Sequence, residues 1–242
     1  MLIIGSSGAG KSTSIGEIPE LNIQGLNPKE TMIISSIGKE LPWRNSGKQY
    51  ISGSNLIITS HPRKVLDILH GINKNMLLVK NVVIDDNTHI SSMEYMRRIN
   101  EKTYDKFNDI ADYMSRTALD VKTFRDDLCV FFLHHSRDSG DGVLEEKHTN
   151  AMTIGKLVDE KLSGYESFFT VVLRAVKRVK DDEVEYKFLT KDANSTAKTP
   201  IGMFESVEIN NDLGMVRQSI DCYYNDEDCK QEEKENKQTK KK

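Results

Sequence analysis

The residues G-S-S-G-A-G-K-S, positions 5–12, constrain the fold of this chain more than any other stretch. They satisfy the pattern G-x-x-x-x-G-K-[ST], in which glycines let backbone N–H groups turn inward around phosphate oxygens. Such a loop joins a buried strand to a helix that presents its positive N-terminus to the phosphate. Met1–Ile4 supply a short apolar strand, and Ser12–Ile18 predict about two turns of helix that end near Pro19. We therefore expect a parallel α/β sheet around this loop.

The loop assigns each residue type a task in holding a nucleotide. Lys11 is expected to reach the β- and γ-phosphates, and the Ser12 hydroxyl to ligate Mg²⁺. The expected ligands are therefore ATP and Mg²⁺. The predicted nucleotide-binding residues are contiguous: Gly5, Ser6, Ser7, Gly8, Ala9, Gly10, Lys11, Ser12 and Thr13.

A second motif, N-V-V-I-D-D at positions 81–86, predicts a buried strand that ends in two acids. A phosphate-binding loop needs an acid at the end of a neighbouring strand to hold Mg²⁺, and Asp85 has that position. Asp86 follows, where many ATPases carry the base that positions the attacking water. The alternative is that both acids only cap the next turn.

The apolar run at positions 128–135 predicts a further buried strand that ends in two histidines. Ligands of open α/β sheets bind at the carboxyl ends of the strands, so His134 is a candidate sensor of the γ-phosphate. The alternative is a partly exposed histidine at a strand end. Alternation along the strand places His135 on the other face and makes it the weaker candidate.

Short apolar runs separated by amphipathic segments indicate a mostly parallel central sheet with helices on both faces. Thr31–Ile37 and Leu56–Thr59 predict two more strands. Ser91 and Glu94 fit a capping box, followed by a long helical segment with apolar positions as far as Met114. K-D-D-E at positions 180–183 predicts the turn of a C-terminal β-hairpin. We expect one α/β domain over residues 1–224 and a charged, disordered tail over 225–242.

Charge and hydropathy restrict the partners. A net charge of -3 gives no protein-wide basic field of the kind that binds nucleic acid non-specifically. A local basic group is present on the predicted hairpin, where it either binds phosphates or is a solvated face: Arg174, Lys177, Arg178 and Lys180. The start of the chain does not fit a signal peptide, and no segment approaches the length of a membrane span. We expect no membrane partner and a cytoplasmic protein.

Several phrases together carry a family resemblance: G-K-E-L-P-W, V-I-D-D, R-D-D-L-C-V-F-F-L-H-H, T-I-G-K-L-V-D-E-K and T-A-K-T-P-I-G-M-F-E. With the phosphate-binding loop, they make residues 1–224 resemble the RecA-like P-loop ATPases. The resemblance is strongest to a phage-encoded branch of AAA-domain ATP-binding proteins linked to single-strand annealing recombination. It implies a RecA-like P-loop NTPase fold, ATP hydrolysis, a DNA partner, with single-stranded DNA favoured, and the cytoplasm of a host cell.

The resemblance also implies roles for particular residues. Loop 136–150 takes the place of a DNA-contacting loop, although acids outnumber bases in it. Family members assemble as rings or filaments, and Lys198 resembles the basic residue that reaches a neighbour's γ-phosphate; a turn lysine is the alternative. Glu40 lies near the place of a catalytic glutamate. Trp43 and Arg44 would lie beside the nucleotide, or Trp43 would be a surface lid.

Three functions follow for comparison. The leading one is a Mg²⁺-dependent RecA-like ATPase acting in phage DNA recombination, single-strand annealing or replication, with catalytic candidates Lys11, Asp86, Glu40, His134 and Lys198. The second is a nucleotide-gated protein-binding switch, such as a helicase loader. The third and weakest is a small-molecule kinase, because the arginines that would form its lid are scattered along the chain: Arg97, Arg98, Arg116 and Arg125.

Overall fold

The computed structural model describes residues 1–139, 148–155, 164–180 and 183–225. Its strands are β1 (Leu2–Gly5), β2 (Thr31–Ser35), β3 (Leu56–Ile58), β4 (Asn81–Asp85), β5 (Cys129–Ser139), β6 (His148–Ala151), β7 (Val172–Lys180), β8 (Glu183–Leu189) and β9 (Glu208–Asn210). Its α-helices are α1 (Ser46–Gln49), α2 (Pro62–Asn75), α3 (Asn87–Arg97), α4 (Asp105–Asp120) and α5 (Leu213–Asn225). Beyond Asn225, which ends α5, the predicted tail lies outside the described residues.

The strands form one sheet in the order β3-β2-β4-β5-β1-β7-β8-β9, with β6 paired to β5. Every pair from β3 to β7 is parallel. The β7–β8 and β8–β9 pairs are antiparallel, so the predicted hairpin forms the end of the sheet. This confirms the expected α/β class with a mostly parallel central sheet. The carboxyl ends of β1, β2, β4 and β5 meet at one edge, where the candidate site lies.

Both faces of the sheet are covered, as expected for strands that are apolar throughout. Leu2 and Ile4 of β1 point to a face packed by α2, α3 and α4. Ile3 points to the opposite face, where Leu213 and Val216 of α5 pack. None of the helices in the described part of the chain is both long and apolar enough to cross a bilayer.

The predicted two-turn helix after the phosphate-binding loop is wrong. Only a 3₁₀ turn, Thr13–Ile15, follows the loop, and Gly16 is already extended with φ -89° and ψ 161°. A Cβ at Gly16 would lie 2.3 Å from the Trp43 ring, and the Leu26 N–H donates to the Ile15 carbonyl over 2.8 Å. Tertiary packing of two later segments therefore ends the helix after one turn.

The capping box at Ser91 and Glu94 is also wrong, because α3 begins at Asn87 and Ser91 is buried within it. The single helical segment expected as far as Met114 is two helices, α3 and α4. Met96 is 56% exposed, so the apolar residues that predicted the helix include some on the solvent-exposed face of α3 and not on its core face.

The predicted polar loop, residues 136–150, is β-strand at both of its ends. Strand β5 continues to Ser139 and pairs antiparallel with β6, from Ser136 opposite Ala151 to Ser139 opposite His148. Residues 140–147 of this loop, like most of the T-I-G-K-L-V-D-E-K segment, lie outside the described residues. The polar composition of the two strand ends hid them from a search for apolar runs.

Candidate functional site

The glycine-rich loop leaves the carboxyl end of β1, between β5 and β7 at the middle of the sheet. Two of its glycines are in the left-handed region, Gly8 with φ 76° and Gly10 with φ 89°. Ser6, Ser7 and Gly8 are exposed, whereas Ala9 and Gly10 are buried. The loop thus presents its tip to solvent and anchors its second half in the protein.

The ring of Tyr186 on β8 lies against that second half, and no sequence motif marks this contact. A Cβ at Gly10 would lie 2.6 Å from the Tyr186 ring. The glycine is therefore required both for its backbone conformation and for the close approach of the ring.

Lys11 is folded back over the loop. Its ammonium donates to the Gly5 carbonyl over 2.8 Å and to the Ser6 carbonyl over 2.9 Å, and only 6% of the residue is exposed. Burial lowers the pKa of Lys11 to about 8, and the nearby Asp86 and Asp85 oppose the shift. The structure therefore holds the lysine charge at the place where the motif predicts phosphate oxygens.

The loop meets the acidic end of β4 at Ser12. The Ser12 hydroxyl donates to Oδ1 of Asp85 over 2.8 Å. Burial, and then the neighbouring Asp86, raise the pKa of Asp85 to about 6. A hydroxyl and a carboxylate are hard oxygen ligands of the type that Mg²⁺ takes, so the two side chains fit the expected ion.

Asp86 is held from two sides and has left-handed backbone, with φ 56°. The Lys39 ammonium lies 3.1 Å from its Oδ2, and His135 Nε2 lies 3.2 Å from its Oδ1. Burial favours the protonated acid, but the hydrogen bonds from His135 and Lys39 prevail and hold the pKa of Asp86 well below its usual range. Asp86 is therefore a stable carboxylate beside Asp85. Lys39 was missed because nothing in G-K-E-L-P-W marks its lysine as a partner of Asp86.

The two histidines take the opposite places to those the sequence suggested. His134 is fully buried, with Nδ1 3.0 Å from the Asn87 amide nitrogen and Nε2 2.7 Å from the Met152 carbonyl oxygen. Burial lowers the pKa of His134 to about 3, so the ring is neutral. His135 instead faces Asp86. The reason is that α3 begins directly after β4 and covers the face of the sheet to which His134 points.

Three of the predicted residues form no hydrogen bond or ion pair with this group within the described part of the chain. Glu40 is exposed in the segment after β2. Lys198 is exposed, and its backbone pairs with Val172. Val172 aligns with Leu2 at the start of β1, whereas the glycine-rich loop follows the end of β1. Trp43 is buried, and its Nε1 donates to Gln49 Oε1 over 2.9 Å, so it is a core residue and not a surface lid.

The basic group on the hairpin is partly neutralised within the described residues. Arg174 pairs with Asp192, and Arg178 pairs with Glu208 over 2.6 Å. Lys177 is exposed. The hairpin therefore offers less uncompensated positive charge to a phosphate backbone than its sequence suggested.

Comparison with known proteins adds little to this geometry. No protein-family model matches the chain, and no curated protein resembles it in sequence. Among solved structures, a KaiC-like protein from the hyperthermophilic archaeon Pyrococcus horikoshii OT3 is similar at 14% identity. The match covers 78% of this chain and 76% of that one, with a TM-score of 0.43.

Proposed function

We propose that this protein is a Mg²⁺-dependent ATPase of the RecA-like P-loop type. The observation that carries the proposal is the 2.8 Å contact between the Ser12 hydroxyl and Asp85, beside a lysine folded over a glycine-rich loop. A phosphate-binding loop and an acidic strand end are close enough to share one ion. Mg²⁺ would supply charge neutralisation on the β- and γ-phosphates there.

The residues of the chain then divide the work. Lys11 exchanges the Gly5 and Ser6 carbonyls for phosphate oxygens, while the loop amides surround the phosphates. Asp86, a carboxylate at neutral pH, orients the attacking water. Glu40 is the alternative for that role, because it is exposed and follows Lys39, which contacts Asp86. His134 acts indirectly, through its contact with Asn87 at the start of α3.

We further propose DNA, with single-stranded DNA favoured, as the partner in recombination, annealing or replication. The support is the sequence resemblance together with the exposed Lys177 on the hairpin. A homo-oligomer, as a ring or filament, would use Lys198 in the site of a neighbour. The position of Lys198 away from its own loop is compatible with action between subunits.

The test compares ATP binding and hydrolysis by the wild type, Lys11→Ala and the exposed-lysine control Lys122→Ala, with and without single-stranded DNA. We expect Lys11→Ala to lower Mg²⁺-dependent hydrolysis by about 100-fold, because it removes a charge that stabilises the transition state. Lys122→Ala should match the wild type. Stimulation by DNA that Lys11→Ala abolishes would support the DNA-linked function.

Two results would redirect the assignment. Nucleotide binding without turnover would favour the protein-binding switch, and phosphate transfer to a nucleoside or nucleotide acceptor would favour the kinase. Absence of nucleotide binding by the wild type, measured with a fluorescent ATP analogue, would overturn the proposal altogether.

A further inference from the structure

Three side chains converge next to the loop, and the proposed ATPase reaction uses only one of them, Asp86. Asp86, His89 and His135 each present one ligand atom, and these atoms lie within 4.8 Å of one another. They come from the end of β4, the first turn of α3 and β5, respectively. Asp86 and His89 are three residues apart at the start of α3, whereas His135 joins them only through the tertiary fold.

One member of this group has a ring nitrogen without a partner. Nδ1 of His89 is buried and has no hydrogen-bond partner in the described part of the chain. The His89 and His135 rings lie edge to face, with centroids 5.3 Å apart. A buried polar atom without a partner costs about 1–3 kcal/mol, so its retention here suggests something that it binds.

We propose that Asp86, His89 and His135 bind a divalent transition-metal ion of the Zn²⁺ class. Two imidazoles and one carboxylate are the donor set that suits Zn²⁺ and similar ions, whereas Mg²⁺ prefers oxygen ligands. Three protein ligands leave a fourth position for water, as in catalytic zinc sites. The site shares Asp86 with the proposed ATPase but uses neither Ser12 nor Asp85, and metal binding by it does not require ATP hydrolysis.

The geometry requires only a small contraction. Zinc holds nitrogen and carboxylate oxygen ligands at about 2.0–2.2 Å, which puts tetrahedral ligand atoms about 3.4 Å apart. His135 Nε2 and Asp86 Oδ1 are already 3.2 Å apart. Lys39 contacts the other carboxylate oxygen, Oδ2, and can remain there when Oδ1 binds the ion.

Two positive groups, Lys39 and Lys11, oppose a cation at this site, because both interact electrostatically with Asp86 and His89. This opposition makes a specific expectation possible. Removing the Lys39 charge should tighten metal binding, whereas removing a ligand should weaken it.

The experiment measures Co²⁺ binding to tag-free protein by visible absorption, and Zn²⁺ binding by calorimetry. His89→Ala and Asp86→Asn should each weaken binding by at least about 10-fold and remove the absorption typical of bound Co²⁺. The matched control is His70→Ala, since His70 also contacts an aspartate, with Nε2 2.9 Å from Asp120 Oδ2, but outside the cluster. Lys39→Ala should bind several-fold more tightly.

Lys11→Ala should bind the metal as well as the wild type or better, even where it has lost nucleotide binding. This separates the metal site from the nucleotide site. Circular dichroism establishes that each variant is folded. If His89→Ala does not fold, the two single variants Asp86→Asn and Lys39→Ala still test the proposal, because they should weaken and tighten metal binding, respectively. The proposal is overturned if the wild type gives no Co²⁺ absorption, or if His70→Ala loses binding as much as the cluster variants.

Discussion

At the scale of single residues, two adjacent acids differ sharply because of what surrounds them. Asp85 is buried beside one hydroxyl, while Asp86 accepts from a lysine and a histidine. The pKa of Asp85 rises to about 6 and the pKa of Asp86 falls. Neighbouring carboxyls with opposite shifts are typical of sites where two acids have different tasks.

Asp85 should make the metal-free protein less stable as the pH rises. Its pKa is about 6 in the folded chain against an ordinary 3.8, so the folded state binds the proton more tightly than the unfolded state. The penalty is therefore absent below pH of about 4, grows up to pH of about 6 and stays constant above it. Asp85→Asn should raise the melting temperature at neutral pH, and the gain should vanish near pH 4.

The measurement is thermal unfolding followed by circular dichroism without nucleotide or divalent ions. Each kcal/mol corresponds to about 2–4 °C for a domain of this size. Asp67→Asn, at an exposed position on α2, is the control and should show no such pH-dependent gap. A gap that is the same at pH 4 and at neutral pH would contradict the assignment.

Gly10→Ala should destabilise the protein more than Gly8→Ala. Both positions have positive φ, which costs an alanine about 1–2 kcal/mol. Only at Gly10 does the added Cβ also meet a ring, 2.6 Å from Tyr186, whereas Gly8 has open space. Denaturant unfolding should show the difference, and Tyr186→Ala in the Gly10→Ala background should recover part of it. Equal losses at the two glycines would show that the ring contact is unimportant.

At the scale of elements, sequence patterns located the sheet better than the helices. Apolar runs marked β1, β2, β4 and β5, because a strand buried on both faces is continuous in sequence. Helix α2 was not predicted, although Val65, Leu69 and Ile72 form its buried stripe. The helix expected after the loop is missing because Trp43, which is distant in sequence, packs on Gly16. Helix α3 begins directly after β4, at residues that carry no apolar helical pattern.

Helix α2 should depend on that buried stripe. Leu69 is 1% exposed and belongs to the core on its face of the sheet, whereas Leu77, just beyond the helix, is 64% exposed. Leu69→Ala should lower the free energy of unfolding by about 2–5 kcal/mol, because it removes buried methyl groups and leaves a cavity. Leu77→Ala, the same chemical change at the surface, should cost less than about 0.5 kcal/mol. Urea unfolding of both variants measures the difference, and similar losses would mean that α2 does not pack as described.

At the scale of the whole molecule, only the site residues that belong to a sequence motif could be predicted. Lys11, Ser12 and Asp85 follow from the motifs, and the structure brings them together. Lys39, His89 and His135 join the group only because separate elements end at the same edge of the sheet. A residue supplied by another subunit would be harder still to identify from the sequence, and Lys198 is the candidate for that role.

Mixing two inactive variants tests whether Lys198 acts between subunits. Lys11→Ala keeps Lys198 but lacks a working loop, and Lys198→Ala keeps the loop but lacks the lysine. In a head-to-tail assembly, about a quarter of the interfaces in an equal mixture combine an intact loop with an intact Lys198. Hydrolysis should therefore reappear on mixing, to about a quarter of the wild-type rate, and rise with protein concentration.

The control mixes Lys11→Ala with the double variant Lys11→Ala,Lys198→Ala, because this mixture contains no intact loop. If Lys198→Ala alone hydrolyses ATP at the wild-type rate, the lysine is a turn residue, as its backbone bridge to Val172 permits. If both variants are inactive and the mixture stays inactive, although exchange of subunits is shown by fluorescence transfer, Lys198 does not act in a neighbour's site.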